Sequence, residues 1–260
     1  MSKLREIVEH KRTEVEAAKA AKPLKELRAA LKDAPKPRDF FTALIIPGRV
    51  HLIAEVKLAS PSQGAIREFK SPAEIAKIYQ DHGATCISVL TDERYFQGKL
   101  EYLREVRAAV RAPVLRKDFI IDSYQLVEAR AAGADAVLLI AECLDDCNLR
   151  ALHNEAIELG LSPLVEYFEP PNLERLLEAG ATLIGINNRN LHTLEVDFQH
   201  AMRERTRIPG DCVAVAESAI KTWDDVKQLA AAEFNAMLVG TSLMSEPNIG
   251  QAVDRLLGRG

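Results

Sequence analysis

Glu55 and Lys57 stand two residues apart in "HLIAEVKLASPSQG", residues 51–64, and pose a problem of placement. Leu52, Ile53, Ala54 and Val56 around them are apolar, and Ser60-Pro61-Ser62-Gln63-Gly64 then breaks the run. Strand side chains alternate between faces, so Ile53, Glu55 and Lys57 share one face while Leu52, Ala54 and Val56 share the other. A carboxylate and an ammonium in one protected space are suited to proton transfer. Burial and neighbours move a Glu upward or a Lys downward in pKa, toward the working range of a general acid or base. The same punctuation closes other apolar runs: Lys117 in "PVLRKD", Glu166 in "SPLVEY", Asn187 and then Arg189 in "LIGINNR", Glu217 and Ser218 in "VAVAES". One Lys or Glu at a strand end is ordinarily a solvated residue or a local ion pair. Repetition from strand to strand points to a ring of functional groups that works on an anionic substrate.

The elements that position this ring are short and regular. The pattern predicts strands over 50–57, 84–90, 113–117, 135–141, 162–167, 182–187, 212–217 and 235–240. It predicts helices over 72–82, 99–110, 123–132, 146–159, 170–179, 222–232 and 247–258, with a weaker one around 195–206. "HGAT", "AGADA" and "AGATL" each place a glycine where a left-handed helix C-cap requires one, just before a strand. Strands alternating with helices pair in parallel through right-handed crossovers. No G-x-G-x-x-G follows the first strand and no G-x-x-x-x-G-K-[ST] occurs, which disfavours a doubly wound nucleotide-binding sheet. The expected fold is a single (β/α)8 TIM barrel with an N-terminal helical extension. Residues 1–45, broken at Pro23 and followed through Pro35 and Pro37, form the extension, and residues 46–260 the barrel, one structural domain overall. The extension is expected to pack over or beside the mouth, where barrel chemistry resides.

Composition fits a barrel enzyme and excludes other classes. At 260 residues, 47% hydrophobic and 28% charged, the chain can bury a large core under a soluble surface. A net charge of −4 and a pI near 5.9 argue against a nucleic-acid-binding surface. No apolar run approaches the roughly 18–20 residues of a membrane span, and the charged N-terminus is no secretory signal. Cys86 and Cys212 lie in apolar runs as small hydrophobes. Cys143 and Cys147, near His153, fit one helical face better than a zinc knuckle, so a metal site is not expected. Four thiols are most simply reduced in a cytoplasm.

The loops after the last two strands of such a barrel commonly bind phosphate through backbone N–H groups. Here they read "AESAIKT" and "VGTSLMS", and Ala219, Gly240 and Thr241, with Ser60 from the first loop, are the expected phosphate donors.

"IAEVKLASPSQG", "LTDERYFQGKLEYL", "PVLRKDFIIDSYQ", "LIGINNRNLHTLEVD" and "VGTSLM" resemble, in order, the sequence blocks of the indole-3-glycerol-phosphate synthase family, over about residues 50–245. The resemblance implies a metal-free, cofactor-free barrel enzyme of tryptophan biosynthesis, a carboxy-lyase acting on a small phosphosugar. It implies catalytic roles for Glu55, Lys57, Lys117, Glu166, Asn187 and Ser218. Ser60, Arg189, Glu217, Ala219, Gly240 and Thr241 would bind the substrate. Lys117 matches the position of the acid that assists ring closure, and Glu166 that of the acid/base glutamate of dehydration. The chain departs from the family's commoner pattern at Ala219, where glycine is usual, at Gln63, where lysine is frequent, and at Tyr167 and Phe168. An isomerase-like phosphosugar barrel would want a Cys and an Asp as base and acid, and Cys86 lies too far down its strand for that. A non-catalytic scaffold would be expected to have lost Lys117 or Glu166. The chain is too short for a fused isomerase barrel, and no apolar stripe demands a protein partner.

Overall fold

The computed structural model describes residues 3–57, 59–60, 64–65 and 71–259. Eight strands form its centre: β1 (His51–Val56), β2 (Cys86–Leu90), β3 (Val114–Lys117), β4 (Ala136–Ile140), β5 (Ser162–Tyr167), β6 (Leu183–Asn187), β7 (Val213–Glu217) and β8 (Ala236–Val239). They close into a barrel in sequential order, each paired in parallel with its neighbours, and β8 returns to β1 with Ile53 opposite Leu238. Every predicted strand lies within two residues of an observed one.

The alternation read in the first strand holds in three dimensions. Ile53 packs inside the barrel with Leu115, Leu138, Leu164 and Leu238, while Leu52, Ala54 and Val56 face the helical layer. Each such buried aliphatic side chain contributes about 1.5–3 kcal/mol. The helical layer comprises α4 (Pro72–Asp81), α6 (Leu100–Ala109), α7 (Ser123–Ala131), α8 (Asp146–Glu158), α9 (Asn172–Glu178), α10 (Phe198–Arg205), α11 (Trp223–Ala231) and α13 (Ile249–Leu256), after α1 (Lys3–Ala21), α2 (Leu24–Ala29) and α3 (Phe40–Ala43) of the extension. Gly83, Gly133 and Gly180 take φ values of 94, 90 and 90°, the left-handed caps expected of them. α3 and two other four-residue helices, α5 (Glu93–Phe96) and α12 (Thr241–Met244), are too short to leave a periodic signature. Cys143 ends a 3₁₀ turn and Cys147 lies in the first turn of α8, so the expectation of one shared helical face does not hold. The reason is local: Asp145 caps α8 between them through the Asn148 N–H. Among the described residues no helix is long and apolar enough to cross a membrane.

The extension touches both ends of the barrel. At the lower end Phe40 and Leu44 plug the interior, and buried Asp135 accepts from the backbone N–H groups of Arg38 (2.6 Å) and Val114 (2.8 Å). At the upper end α1 lays Leu4, Ile7 and Val8 against Phe119. Lys11 lies on the same apolar face of α1 and is 4% exposed. Its ammonium meets Asp92 at 2.8 Å and Asp118 at 3.0 Å, just beyond the ends of β2 and β3. Asp118 also accepts from Thr91 Oγ1 at 2.6 Å and pairs with Arg116 at 3.2 Å. Burial alone would raise the Asp118 carboxyl, but Lys11 and Arg116 hold it down at about 2.

Lys11→Met should therefore leave buried Asp92 without its cation and Asp118 with Arg116 alone, at a cost of about 3–5 kcal/mol in urea unfolding. A depressed carboxyl contributes stability above its ordinary value of 3.8 and loses it as the pH falls toward 2. The wild-type protein should lose about 2 kcal/mol from this group across that window, and Lys11→Met markedly less.

Candidate active site

The site begins where the inward positions of the strands turn polar. Glu55 ends the inward row of β1, Lys117 that of β3, Glu166 that of β5, Asn187 that of β6 and Glu217 that of β7. Lys117 is the hub. Its Nζ lies 2.6 Å from Glu217 Oε2, 3.3 Å from Glu166 Oε2 and 4.0 Å from Glu55 Oε2. Burial would depress the ammonium, but Glu217, Glu166 and Glu55 together hold its pKa above the ordinary lysine range. Asn187 Nδ2 donates to Glu166 Oε1 at 2.8 Å, and the Arg189 N–H donates to Asn187 Oδ1 at 2.9 Å.

Lys57 stands at the edge of this group. Its Nζ is 3.8 Å from Glu55 Oε1 and 5.4 Å from the centre of the Phe96 ring. Burial draws its pKa below the ordinary value against the pull of Glu55, and repulsion by Lys117 and Arg189 adds to the effect.

Two glycines make the convergence possible. A Cβ at Gly240 would stand 2.6 Å from Glu55 Oε1, and one at Gly185 would collide with Glu217 Oε1. The room that Gly240 leaves on its Cβ side is filled by the Glu55 carboxylate. Ser218 and Ala219 follow β7 with φ of 67 and 64°, and Gly240 and Thr241 follow the adjacent β8. Ser242 Oγ ties these loops together by donating to Ile220 O at 2.9 Å. Ser60 belongs to a two-residue strand, Ala59–Ser60, paired with Gly64–Ala65, but its side chain lies outside the described residues, as does Gln63.

The other departures leave the mouth intact. Tyr167 points outward, its hydroxyl donating to Glu204 at 3.3 Å, and Phe168 stacks on His200 with ring centres 4.5 Å apart. Cys86 is fully buried inside the barrel, where burial raises its thiol pKa. Sequence reasoning passed over Asp92 and Asp118, although each lies just past a strand end as the chosen residues do. It also passed over Lys11, a charge in register with Leu4, Ile7 and Val8, and over Asn188. Asn188 is fully buried, donating to Ser218 O at 3.1 Å and accepting from the Ala201 N–H at 2.8 Å.

A closed parallel barrel that holds a lysine among glutamates at the C-terminal ends of its strands defines a (β/α)8 enzyme equipped for acid–base work. Comparison with known proteins narrows the class. The family model described as indole-3-glycerol phosphate synthase matches residues 4–256. Indole-3-glycerol phosphate synthase of Rhodopirellula baltica is 52% identical over 257 residues, covering 99% of both chains. That of Albidiferax ferrireducens is 47% identical over 256 residues, covering 97% of each. The chain belongs to the indole-3-glycerol phosphate synthase family. Among solved structures, a 3-hexulose-6-phosphate synthase aligns over 81% of this chain and 99% of its own, with a TM-score of 0.66 and 13% identity. A mutant tryptophan synthase alpha-subunit from the hyperthermophile Pyrococcus furiosus aligns over 82% of this chain and all of its own, with a TM-score of 0.62 and 14% identity. These last two likenesses are of fold.

Ala219 at φ 64° carries the methyl group where the left-handed conformation is costly. An L-residue loses about 1–2 kcal/mol there, and glycine gives part of that back as extra freedom in the unfolded chain. Ala219→Gly should therefore raise the unfolding free energy by about 0.5–1 kcal/mol in urea titrations.

Proposed function

We propose that the chain is a carboxy-lyase of tryptophan biosynthesis. It converts 1-(2-carboxyphenylamino)-1-deoxyribulose 5-phosphate to indole-3-glycerol phosphate, carbon dioxide and water, in the cytoplasm and without a cofactor. The observation that carries this reading is the Lys117 ammonium held by Glu217 and Glu166 at 2.6 and 3.3 Å in the mouth of a chain of this family.

Ring closure joins the aromatic carbon bearing the carboxylate to C2 of the ribulose chain, and the carbonyl oxygen must take a proton as it does so. Lys117 supplies it. Glu55 stabilises the cationic charge that develops on the ring nitrogen, and loss of carbon dioxide then restores the aromatic ring. Glu166, oriented by Asn187, protonates the departing hydroxyl and accepts the proton lost from C1. Lys57, whose partner Glu55 is 3.8 Å away, receives the substrate carboxylate. Ser218, Arg189 and Glu217 orient the remaining polar groups, and Ser60, Ala219, Gly240 and Thr241 hold the phosphate. Residues 1–45 and 46–260 work as one structural domain; Lys11 of the extension, paired with Asp92 and Asp118 just past β2 and β3, supports that reading.

Indole-3-glycerol phosphate formed from the synthetic ribulose phosphate, followed by ultraviolet absorption or fluorescence, tests the reaction; no product at saturating substrate would refute it. Lys117→Ala should abolish turnover and leave substrate binding within a few-fold, since the phosphate and ring contacts come from other strands. Glu166→Gln should slow turnover by about 10² to 10⁴, the span of one positioned acid or base. Gly240→Ala should cost about 10² in kcat by displacing Glu55 while the fold stays intact by circular dichroism.

A further inference from the structure

The proposed reaction needs a proton that its substrate does not carry. A carboxylate enters and neutral carbon dioxide leaves, while the phosphate is unchanged. Ring closure consumes one proton at the carbonyl oxygen. Dehydration consumes a second at the departing hydroxyl and returns one from C1. Each turnover therefore takes up one proton, and the group that first gives it, the Lys117 ammonium, must be recharged inside a buried site.

Glu166 stands opposite Gly185 of β6 and Glu217 opposite Asn187, and the two carboxylates are 2% and 1% exposed. Both oxygens of Glu166 have donors, Asn187 Nδ2 at 2.8 Å and Lys117 Nζ at 3.3 Å. Glu217 Oε2 accepts from Lys117 at 2.6 Å, but among the described residues the buried Glu217 Oε1 has no donor. That oxygen occupies the space a side chain at Gly185 would fill, and a Cβ there would also be 3.5 Å from Glu166 Cα. Among the described residues, the groups facing this pair are Lys117 from β3, Asn187 from β6, Glu55 and Lys57 from β1, Arg189 beyond β6, and the Cys143 thiol after β4, whose own pKa is raised by burial and by Glu142 and Glu166. Lys57 lies against Glu55, so Lys117 is the cation in contact with both members of the pair. Two adjacent buried carboxylates with one ammonium between them are strongly disfavoured as two full charges; sharing a proton relieves both the repulsion and the orphaned oxygen.

We propose that Glu166 and Glu217 share one proton at neutral pH, that it resides on Glu217, and that it restores the Lys117 ammonium after ring closure. The delivery step rests on the reaction proposed above. In it the Lys117 N–H bond breaks toward the carbonyl oxygen, leaving a neutral amine. The Glu217 carboxyl then gives its proton to the amine nitrogen across their contact and becomes a carboxylate. A proton from solvent then reloads the pair; Glu166 gives it to the departing hydroxyl and regains one from C1, so the pair ends the turnover loaded. Burial, together with repulsion from Glu166, lifts the Glu217 carboxyl to about 8 against the pull of Lys117. Glu217 acts through Lys117, so it is a positioning residue for that ammonium as well as the holder of its proton.

The test is a carbon-13 titration of glutamate side-chain carboxyls in the free full-length protein, from about pH 5 to about pH 10. One resonance should titrate near pH 8 in the wild type, vanish in Glu217→Gln and move to lower pH in Glu166→Gln, which removes the neighbouring charge. In turnover, kcat at saturating substrate should fall as the pH rises through the same value. Glu217→Gln should lose about 10² in kcat together with that alkaline limb, with KM within a few-fold. A wild-type protein in which every glutamate is ionised by about pH 6 would overturn the proposal without any variant. So would a resonance near pH 8 that persists in Glu217→Gln. Absence of indole-3-glycerol phosphate with the titration intact would instead fell the reaction, and with it the delivery step, while the shared proton stands.

Discussion

Burying charge is the constraint from which the rest of this structure follows. Lys117 is held among Glu217, Glu166 and Glu55 at distances of 2.6 to 4.0 Å inside an apolar barrel. An uncompensated ion there would cost several kcal/mol, so each carboxylate needs a defined partner and a defined space. The parallel register supplies the partners by bringing the inward rows of β1, β3, β5, β6 and β7 to the same height. Gly185 and Gly240 supply the space. The apolar layers below, from Ile53 and Leu115 to Leu238, keep the dielectric low and make those partnerships strong.

A second charge cluster stands beside the first. Along β3, Lys117 points inward, whereas Arg116 beneath it pairs with Glu128 of α7 at 2.8 Å. Asp118 above it meets Lys11 of α1. Three successive charged residues thus serve three purposes: Arg116 fixes the helical layer, Lys117 enters the mouth, and Asp118 receives the extension. The backbone that aims Lys117 is held on both sides by ion pairs that never enter the mouth. Loss of Lys11 is consequently felt at the rim of the site as well as in global stability.

The alternation of apolar and polar residues made the barrel legible, because each strand had to bury both faces and could turn polar only at its end. That rule located Glu55, Lys117, Glu166, Asn187 and Glu217 before any coordinates. It did not show that Glu217 pairs with Lys117, since that contact spans 100 positions in the chain. Nor did it show what Gly185 is for. A glycine inside a strand advertises missing volume, but what fills the volume is a neighbour's side chain, and that depends on register. Lys11 was legible in principle as a charge on the apolar face of a helix. Its partners lie some eighty and one hundred residues away, and nothing local announces them. The four-residue helices escaped for a simpler reason: one turn has no period.

Charge accounting joins the mouth to its substrate. With Lys57, Lys117 and Arg189 positive and Glu55, Glu166 and Glu217 all negative, the six groups would sum to zero. A proton shared between Glu166 and Glu217 makes the sum positive by one. A substrate that carries both a carboxylate and a phosphate is better received by the second arrangement, because attraction across a few ångströms of protein is scarcely screened. The same proton that relieves two crowded carboxylates in the empty site thus raises the field that draws an anion in. A substrate carboxylate bound beside Lys57, as proposed, would add negative charge and strengthen the hold of the pair on its proton. Release of that proton is then favoured only after carbon dioxide has begun to form or Lys117 has given up its own. Coupling of this kind keeps the proton in place until ring closure creates the demand for it.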